Sequence, residues 1–99
     1  MKMVFIVCET GVDYKVTKIL DELHILGYIR QSGLTGVGDM ARGGTAGHGV
    51  PGQNTVFIGL MPDEMRSEVT ERLQHLVASY EDRHPPVCRA FASPAEVLF

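Results

Sequence analysis

The segment from Thr35 to Asn54 reads TGVGDMARGGTAGHGVPGQN and holds seven of the chain's 11 glycines. Its apolar residues follow neither the twofold period of a strand nor the 3.6-residue period of a helix. Loops longer than about 12–15 residues are uncommon in compact domains and are usually functional or disordered. The sequence therefore predicts one long functional loop that is flanked by regular secondary structure on both sides.

Four apolar runs around this loop are typical of strands. The first is apolar at every position, which predicts a strand buried on both faces. The second is more polar, which favours a place nearer the edge of a sheet. The predicted strands are residues 3–8, 28–34, 55–61 and 87–92, with Ser93-Pro94 interrupting the last.

Two segments with apolar residues at helical spacing separate the strands. The first is predicted to begin with Asp13 as its N-cap, with Thr10 as the alternative, and to end at Gly27 as a left-handed C-cap. The second begins at Pro62, since proline is favoured in the first turn. The predicted buried residues are Val16, Ile19, Leu20, Leu23 and Leu26 in the first helix and Met65, Val69, Leu73, Leu76, Val77 and Tyr80 in the second.

The resulting order, β-α-β-β-α-β, predicts an α+β fold of the split βαβ type in one domain, residues 1–99. Right-handed crossovers place both helices on one face of an antiparallel sheet with strand order 4-1-3-2. The long loop, the end of the first strand and the connector at 81–86 then meet at one edge. The other face of the sheet has no helix to cover it, so we expect a homo-oligomer. The apolar residues 95–99 are expected to be docked, with a neighbouring subunit as a candidate surface.

Composition narrows the classes of function. The formal net charge of -3 argues against nucleic acid as a partner, because binding phosphates needs a basic face. No apolar run approaches the roughly 20 residues that span a bilayer. With two cysteines and no recognisable signal peptide, we expect a cytoplasmic protein with reduced thiols.

The predicted topology brings Cys8 close to Cys88, and three interpretations remain open. The two residues are small members of the core, a redox-sensitive pair, or ligands of a metal site completed by His84 or His48. The last interpretation makes a metal-binding or metal-tolerance protein the alternative function. No Ser-His-Asp arrangement or other reactive cluster is present in the sequence, so an enzyme is not expected.

The loop and its edge carry candidate anion-binding residues. Backbone N–H groups near Gly36 and Gly38 are able to form an anion nest, and Arg42 supplies a charge-assisted contact to phosphate or carboxylate. A second set, Arg83, His84 and Arg89, is expected at the same edge. The alternative is a loop that binds only a protein partner, with these side chains as ordinary solvated charges.

Four short motifs resemble those of the PII-like signalling proteins. Residues 35–38, Thr-Gly-Val-Gly, resemble the Gly-aromatic-Gly start of their long T-loop, with Val37 in place of the aromatic residue. Residues 60–63, Leu-Met-Pro-Asp, resemble the exit of their third strand. Residues 89–94, Arg-Ala-Phe-Ala-Ser-Pro, resemble the opening of their fourth, and residues 48–54 resemble a Pro-Gly-x-Asn loop ending.

The resemblance implies a ferredoxin-like homotrimer that acts as a regulator. It implies that an adenine nucleotide (ADP, AMP or ATP) or a small anion such as bicarbonate binds in a cleft between subunits and reshapes the T-loop. The loop then acts on a transporter or an enzyme. By position, Gly36, Val37, Gly38 and Asp39 would line the base of the loop, Leu60 would offer its backbone to the adenine ring, and Arg89 would close the phosphate site.

Overall fold

The computed structural model describes residues 1–41, 53–80 and 84–99. Apolar runs with β-branched residues form the strands, and the two segments with helical spacing form the helices. The elements are β1 (Lys2–Glu9), α1 (Asp13–Glu22), β2 (Gly27–Leu34), β3 (Asn54–Met61), α2 (Arg66–Ala78) and β4 (Cys88–Pro94), with 3-10 turns at Gly38–Met40 and Asp63–Met65.

The strands form one antiparallel sheet in the order β2-β3-β1-β4, which confirms the predicted order 4-1-3-2. At the centre, Ile6 of β1 lies between Phe57 of β3 and Ala90 of β4. Both helices pack on the same face, as expected from right-handed crossovers. The core between the sheet and the helices consists of Val4, Ile6, Cys8, Val12, Val16, Ile19, Leu20, Phe57, Met61, Val69, Leu73, Leu76 and Tyr80.

The opposite side of the sheet, called here the uncovered face, is also apolar. One row crosses all four strands, because Ile29 pairs with Ile58, Ile58 with Phe5 and Phe5 with Phe91. Ile29 remains 68% exposed and Phe91 47% exposed. The expectation that β1 is buried on both faces therefore fails for the single chain, since no helix among the described residues packs on this side.

The end of α1 differs from the prediction. The helix stops at Glu22, and His24 takes the left-handed backbone, with φ 54°, that was assigned to Gly27. The His24 N–H donates to the Asp21 carbonyl and the Ile25 N–H to the Leu20 carbonyl, which is the bonding of a Schellman motif. This turn packs Ile25 against the core and leaves Leu26 60% exposed, so Leu26 was wrongly predicted as buried.

Three other boundaries also differ. Val12 occupies the N-cap of α1, and Asp13 lies in the first turn with its carboxylate turned to β3. Pro62 is extended and precedes a 3-10 turn, so α2 begins only at Arg66. β4 continues through Pro94, which an edge strand tolerates because its outer N–H groups need no partner in the sheet. Ala95 donates its N–H to the Met1 carbonyl, and residues 96–99 beyond it are exposed.

Replacing His24 by glycine is predicted to stabilise the protein. The left-handed conformation strains a residue with a Cβ, and glycine removes that strain at some entropic cost. We expect the free energy of unfolding, measured by denaturant titration at fixed protein concentration, to rise by about 0.5–1 kcal/mol. The matched control, His75→Gly within α2, should lower it by about 1 kcal/mol. A loss of stability in His24→Gly would contradict the assigned helix end.

Candidate functional site

Both ends of the long loop join the sheet at the end where β1 and β2 stop and β3 and β4 start. We call this the loop edge. The Thr10 N–H donates to the Gln53 carbonyl at 2.9 Å, and the Glu9 N–H donates to the Val87 carbonyl at 3.1 Å. The described ends of the loop and of the 81–86 connector therefore meet the end of β1, as the topology predicted.

A buried hydroxyl ties four chain segments together beneath the loop. The Thr55 side chain is fully buried, and its Oγ1 lies 2.8 Å from Asp13 Oδ2, 3.1 Å from Thr10 Oγ1 and 3.4 Å from Ser32 Oγ. An ionised carboxylate only accepts, so the single Thr55 proton goes to Asp13, and the Thr10 hydroxyl donates to Thr55. We call these four residues the Thr55 cluster.

The strand β2 bends to join this cluster. Its pairing with β3 shifts register between Gln31 and Leu34, and Gly33 within the shift has a φ of 77°. Such a bulge changes the direction of the side chains beside it. It places Ser32 within reach of Thr55, so the sequence of β2 shapes the floor of the loop edge.

Two further buried polar groups hold the strand ends in place. Asn54 donates from Nδ2 to the Leu34 carbonyl at 3.2 Å, which fastens the end of β2 to the start of β3 across the root of the loop. Glu9 is 1% exposed, and its Oε1 accepts the Val87 N–H at 2.8 Å. Hydrogen bonds to a charged group are among the stronger ones in proteins. The two strands that frame the loop and the start of β4 are thereby fixed from inside.

The first residues of the loop turn back sharply. A Cβ built on Gly36 would lie 2.5 Å from the Cβ of Ala41, so only glycine fits there without a shift. Gly38 begins the 3-10 turn with φ 81°, which again favours glycine. The predicted residues Val37 and Asp39 are exposed on this turn. The described base of the loop is therefore a compact turn with accessible backbone.

The candidate cationic residues are partly in place. Arg89 is exposed near the start of β4 and donates from Nη1 to the Cys88 carbonyl at 3.4 Å. His84 is exposed and precedes β4 on the same side of the sheet. Arg42 and Arg83 lie outside the described residues. Arg89 and His84 therefore lie at the same end of the sheet as Gly36, Val37, Gly38 and Asp39. They adjoin the edge strand β4, however, whereas the four loop-base residues follow β2 at the other edge.

Leu60 lies elsewhere. It pairs with Met3 and Gly27 at the opposite end of the sheet, about 20 Å from the loop edge if a strand rises roughly 3.3 Å per residue. There it lines a shallow apolar depression of about 260 Å³ on the uncovered face, together with Ile29 and Ile58. One chain therefore does not bring Leu60 to the predicted loop-base residues.

The two cysteines are direct cross-strand neighbours, as the topology predicted, and both thiols are free. Burial raises the pKa of the Cys88 thiol to about 11, and burial raises that of Cys8 further, with Cys88 adding to the shift. Protonated thiols are poor nucleophiles and poor metal ligands. Nowhere in the described chain do three or more His, Cys, Asp or Glu side chains group as metal ligands would. These observations favour the interpretation of small core residues.

Sequence reasoning missed the buried polar residues of the loop edge. Glu9 was treated only as part of the break after the first strand, and Thr55 only as the first residue of the third. The available signal was a polar residue directly adjoining each buried strand, because a buried polar group needs a specific partner. Asp13 was noticed but assigned to the helix cap.

No family model matches the chain, and no curated protein sequence matches it. Within the described ranges, no helix has both the length and the apolar character needed to cross a membrane.

Several solved structures are similar to this one. A protein classed as PII-like and signalling, from Thermus thermophilus, is 22% identical, with a TM-score of 0.64 over 93% of this chain and 83% of that one. CPII from Thiomonas intermedia, bound to ADP, AMP and acetate, is 19% identical, with a TM-score of 0.64 over 97% and 88%. The same protein bound to ADP and bicarbonate is 23% identical, with a TM-score of 0.63 over 93% and 84%. The chain therefore has the fold of PII-like proteins over nearly its whole length, as the resemblance implied.

The Thr55 cluster gives a testable prediction about the root of the loop. Thr55→Val keeps the volume but leaves the Asp13 carboxylate without its donor, so the free energy of unfolding should fall by roughly 1–3 kcal/mol. Thr70→Val is the matched control, because the exposed Thr70 hydroxyl bonds only to a carbonyl of its own helix. Denaturant titration of both variants measures the difference. Equal stability of the two variants would show that the cluster does not hold the loop edge.

Proposed function

We propose that this chain is a divergent member of the PII-like superfamily. It acts as a homotrimeric regulator that binds a small effector between subunits and controls a partner protein through residues 35–54. The observation that carries the proposal is a PII-like sheet with a long glycine-rich loop rooted at a hydrogen-bonded edge. The solved structures with this fold include one bound to ADP and bicarbonate.

The uncovered face supports the trimer. A row of apolar side chains from Ile29 to Phe91 crosses the sheet, and neither of the two described helices packs against it. Apolar patches of this kind on small domains mark association surfaces. A chain of 99 residues also buries too little of its own surface to be very stable alone, so association adds stability that the monomer lacks.

The proposed effector is an adenine nucleotide, ADP, AMP or ATP, or a small anion such as bicarbonate. The turn at Gly36–Asp39 offers backbone N–H groups, which suit phosphate or bicarbonate. Arg89 and His84 supply positive or hydrogen-bonding groups at the same edge. Arg42 and Arg83 are proposed to join them.

The apolar part of a nucleotide needs a different surface, and the depression beside Leu60 offers one. It lies far from the loop base in the same chain, so we propose that the site combines the loop base of one subunit with Leu60 of its neighbour. A ligand that contacts both would stabilise the assembly and one arrangement of the loop together. Such a shift needs only a difference in ligand affinity between two loop arrangements.

The proposed output is binding, not chemistry. The loop presents residues 35–54 to a protein target, for which a membrane transporter or an enzyme is the proposed class. The protein is proposed to work in the cytoplasm and to have no catalytic activity of its own. The metal-binding alternative gains no support from the described residues, in which no three His, Cys, Asp or Glu side chains are grouped as metal ligands would be.

The effector proposal predicts binding that depends on Gly36. Calorimetry of the assembled protein with ADP, AMP, ATP and bicarbonate should detect at least one of them. Gly36→Ala forces the turn apart and should weaken that binding by about tenfold, which corresponds to roughly 1.4 kcal/mol. Ala41→Gly removes the opposing Cβ, so the double variant should recover most of the lost affinity.

Two results would overturn this proposal. Failure of all four compounds to bind a correctly assembled trimer would leave a loop that recognises only protein. Equal affinity of Gly36→Ala and the unchanged protein would place the ligand away from the loop base.

The trimer is tested independently of the ligand. Light scattering should give close to three times the chain mass of 10.9 kDa. Ile29→Lys buries a charge in the proposed interface and should shift the mass toward that of one chain. Tyr14→Lys is the control, because Tyr14 is similarly exposed but lies on α1, on the other side of the sheet. A single-chain mass for the unchanged protein would exclude the trimer.

A further inference from the structure

A groove runs between α2 and the edge strand β4, on the helix side of the sheet. Its two halves have volumes of about 420 and 430 Å³ and share Thr70 and Ala90. The residues of β4 that face the helix layer, Cys88, Ala90 and Ala92, are all small. Because these side chains are small, a gap remains between α2 and β4 that larger side chains would have filled.

The groove differs in character between its ends. Near the end of β4, its lining includes Lys2 and Arg66 beside Val4 and Val69. Near the start of β4, Leu73, Val77 and Ala78 make the lining more apolar, and Gln74 and Arg89 also belong to it. Neither half has an aspartate or a glutamate among its described lining residues. An occupant with one acidic residue followed by apolar side chains would match this order.

Residues 95–99, Ala-Glu-Val-Leu-Phe, have that composition. We call them the tail segment. Its last three residues are exposed, with Leu98 at 87%. Fully extended, five residues reach roughly 17 Å, somewhat more than the approximately 13 Å between Cys88 and Ala92 along β4.

The tail segment points away from the groove of its own chain. Ala95 donates its N–H to the Met1 carbonyl, so the chain passes the end of the sheet while the groove extends back along β4. We propose that the tail segment docks in the α2–β4 groove of a neighbouring subunit. Glu96 pairs there with Lys2 and Arg66, and Val97, Leu98 and Phe99 occupy the apolar half.

This inference rests on the proposed homotrimer but uses a different surface from the uncovered face. Head-to-tail contacts of this type close into a ring when three subunits are related by a threefold axis. The docked segment would cover apolar surface on both partners. It would also link each α2–β4 layer to the next subunit.

Cross-linking within a mixed-isotope assembly tests the inference. Unlabelled and ¹⁵N-labelled full-length chains are co-refolded in equal amounts, and a carbodiimide joins carboxylates to amines in direct contact. The proposal predicts a cross-link between Glu96 of one chain and Lys2 of another. Lys2 also pairs with Pro94 of its own chain, so a cross-link within one chain is within reach as well, and only cross-links that join a labelled and an unlabelled peptide report docking. If chains assort at random, about half of the cross-links between chains should be of this mixed kind.

A variant of the tail segment gives the second readout. Leu98→Asp places a charge in the apolar half of the groove and should reduce the mixed-label Glu96–Lys2 cross-link at least fivefold. Tyr14→Asp, which alters an exposed side chain outside both surfaces, should leave it unchanged. Light scattering of the same samples records the assembly.

The outcomes separate this inference from the proposed function. A trimer in which all Glu96–Lys2 cross-links join peptides of one label would show that the tail segment folds onto its own chain. A trimer without the cross-link would place the tail segment elsewhere, such as on the uncovered face. Both results overturn the docking and leave the trimer intact, whereas a single-chain mass overturns both.

Discussion

The structure depends on a sheet that is apolar on both sides and has helices on one. β1 has apolar side chains at each position from Met3 to Cys8, and strand geometry sends them alternately to the two faces. Val4, Ile6 and Cys8 are buried under the helices, and the intervening residues are not fully buried. Removing that second apolar surface from water would stabilise the chain further. The proposed association would then follow from the same sequence pattern that forms the sheet.

The loop edge follows a different physical rule. The segment 35–54 is rich in glycine and offers few large apolar side chains for burial, so we attribute its position to the residues at its two ends. Here those residues are polar and buried, with Asn54 bonded to Leu34, Thr55 to Asp13 and Glu9 to Val87. Buried polar groups are costly unless paired in one specific geometry. These three bonds consequently fix where the loop starts and ends, while Val37, Gly38 and Asp39 in the turn that follows β2 are exposed.

Sequence reasoning predicted the strand order, the helix layer and the proximity of Cys8 and Cys88, because each follows from hydrophobic period and chain topology. It failed at the end of α1, where His24 instead of a glycine adopts the left-handed conformation. His24 ends α1 because Ile25 then reaches the core, a tertiary gain that outweighs the preference for glycine at Gly27. It also failed for the Thr55 cluster, since hydrogen bonds between side chains from four segments leave no periodic signal. The predicted topology already implied that Leu60 lies far from the loop base. The motif matches assigned both to one site because they carry no information on where the residues lie in a single chain.

The distance between Leu60 and the loop base has a consequence for the proposed regulation. If the loop base and the Leu60 depression serve one ligand, the ligand spans two subunits and binds the assembly more tightly than the separate chain. By linkage, whatever strengthens the assembly then also strengthens effector binding. Docking of residues 95–99 in a neighbour's groove would act through the same coupling, since it ties α2 and β4 of one subunit to the end of the sheet in another. Effector affinity, loop arrangement and association would then be properties of one equilibrium, set by contacts that no single chain contains.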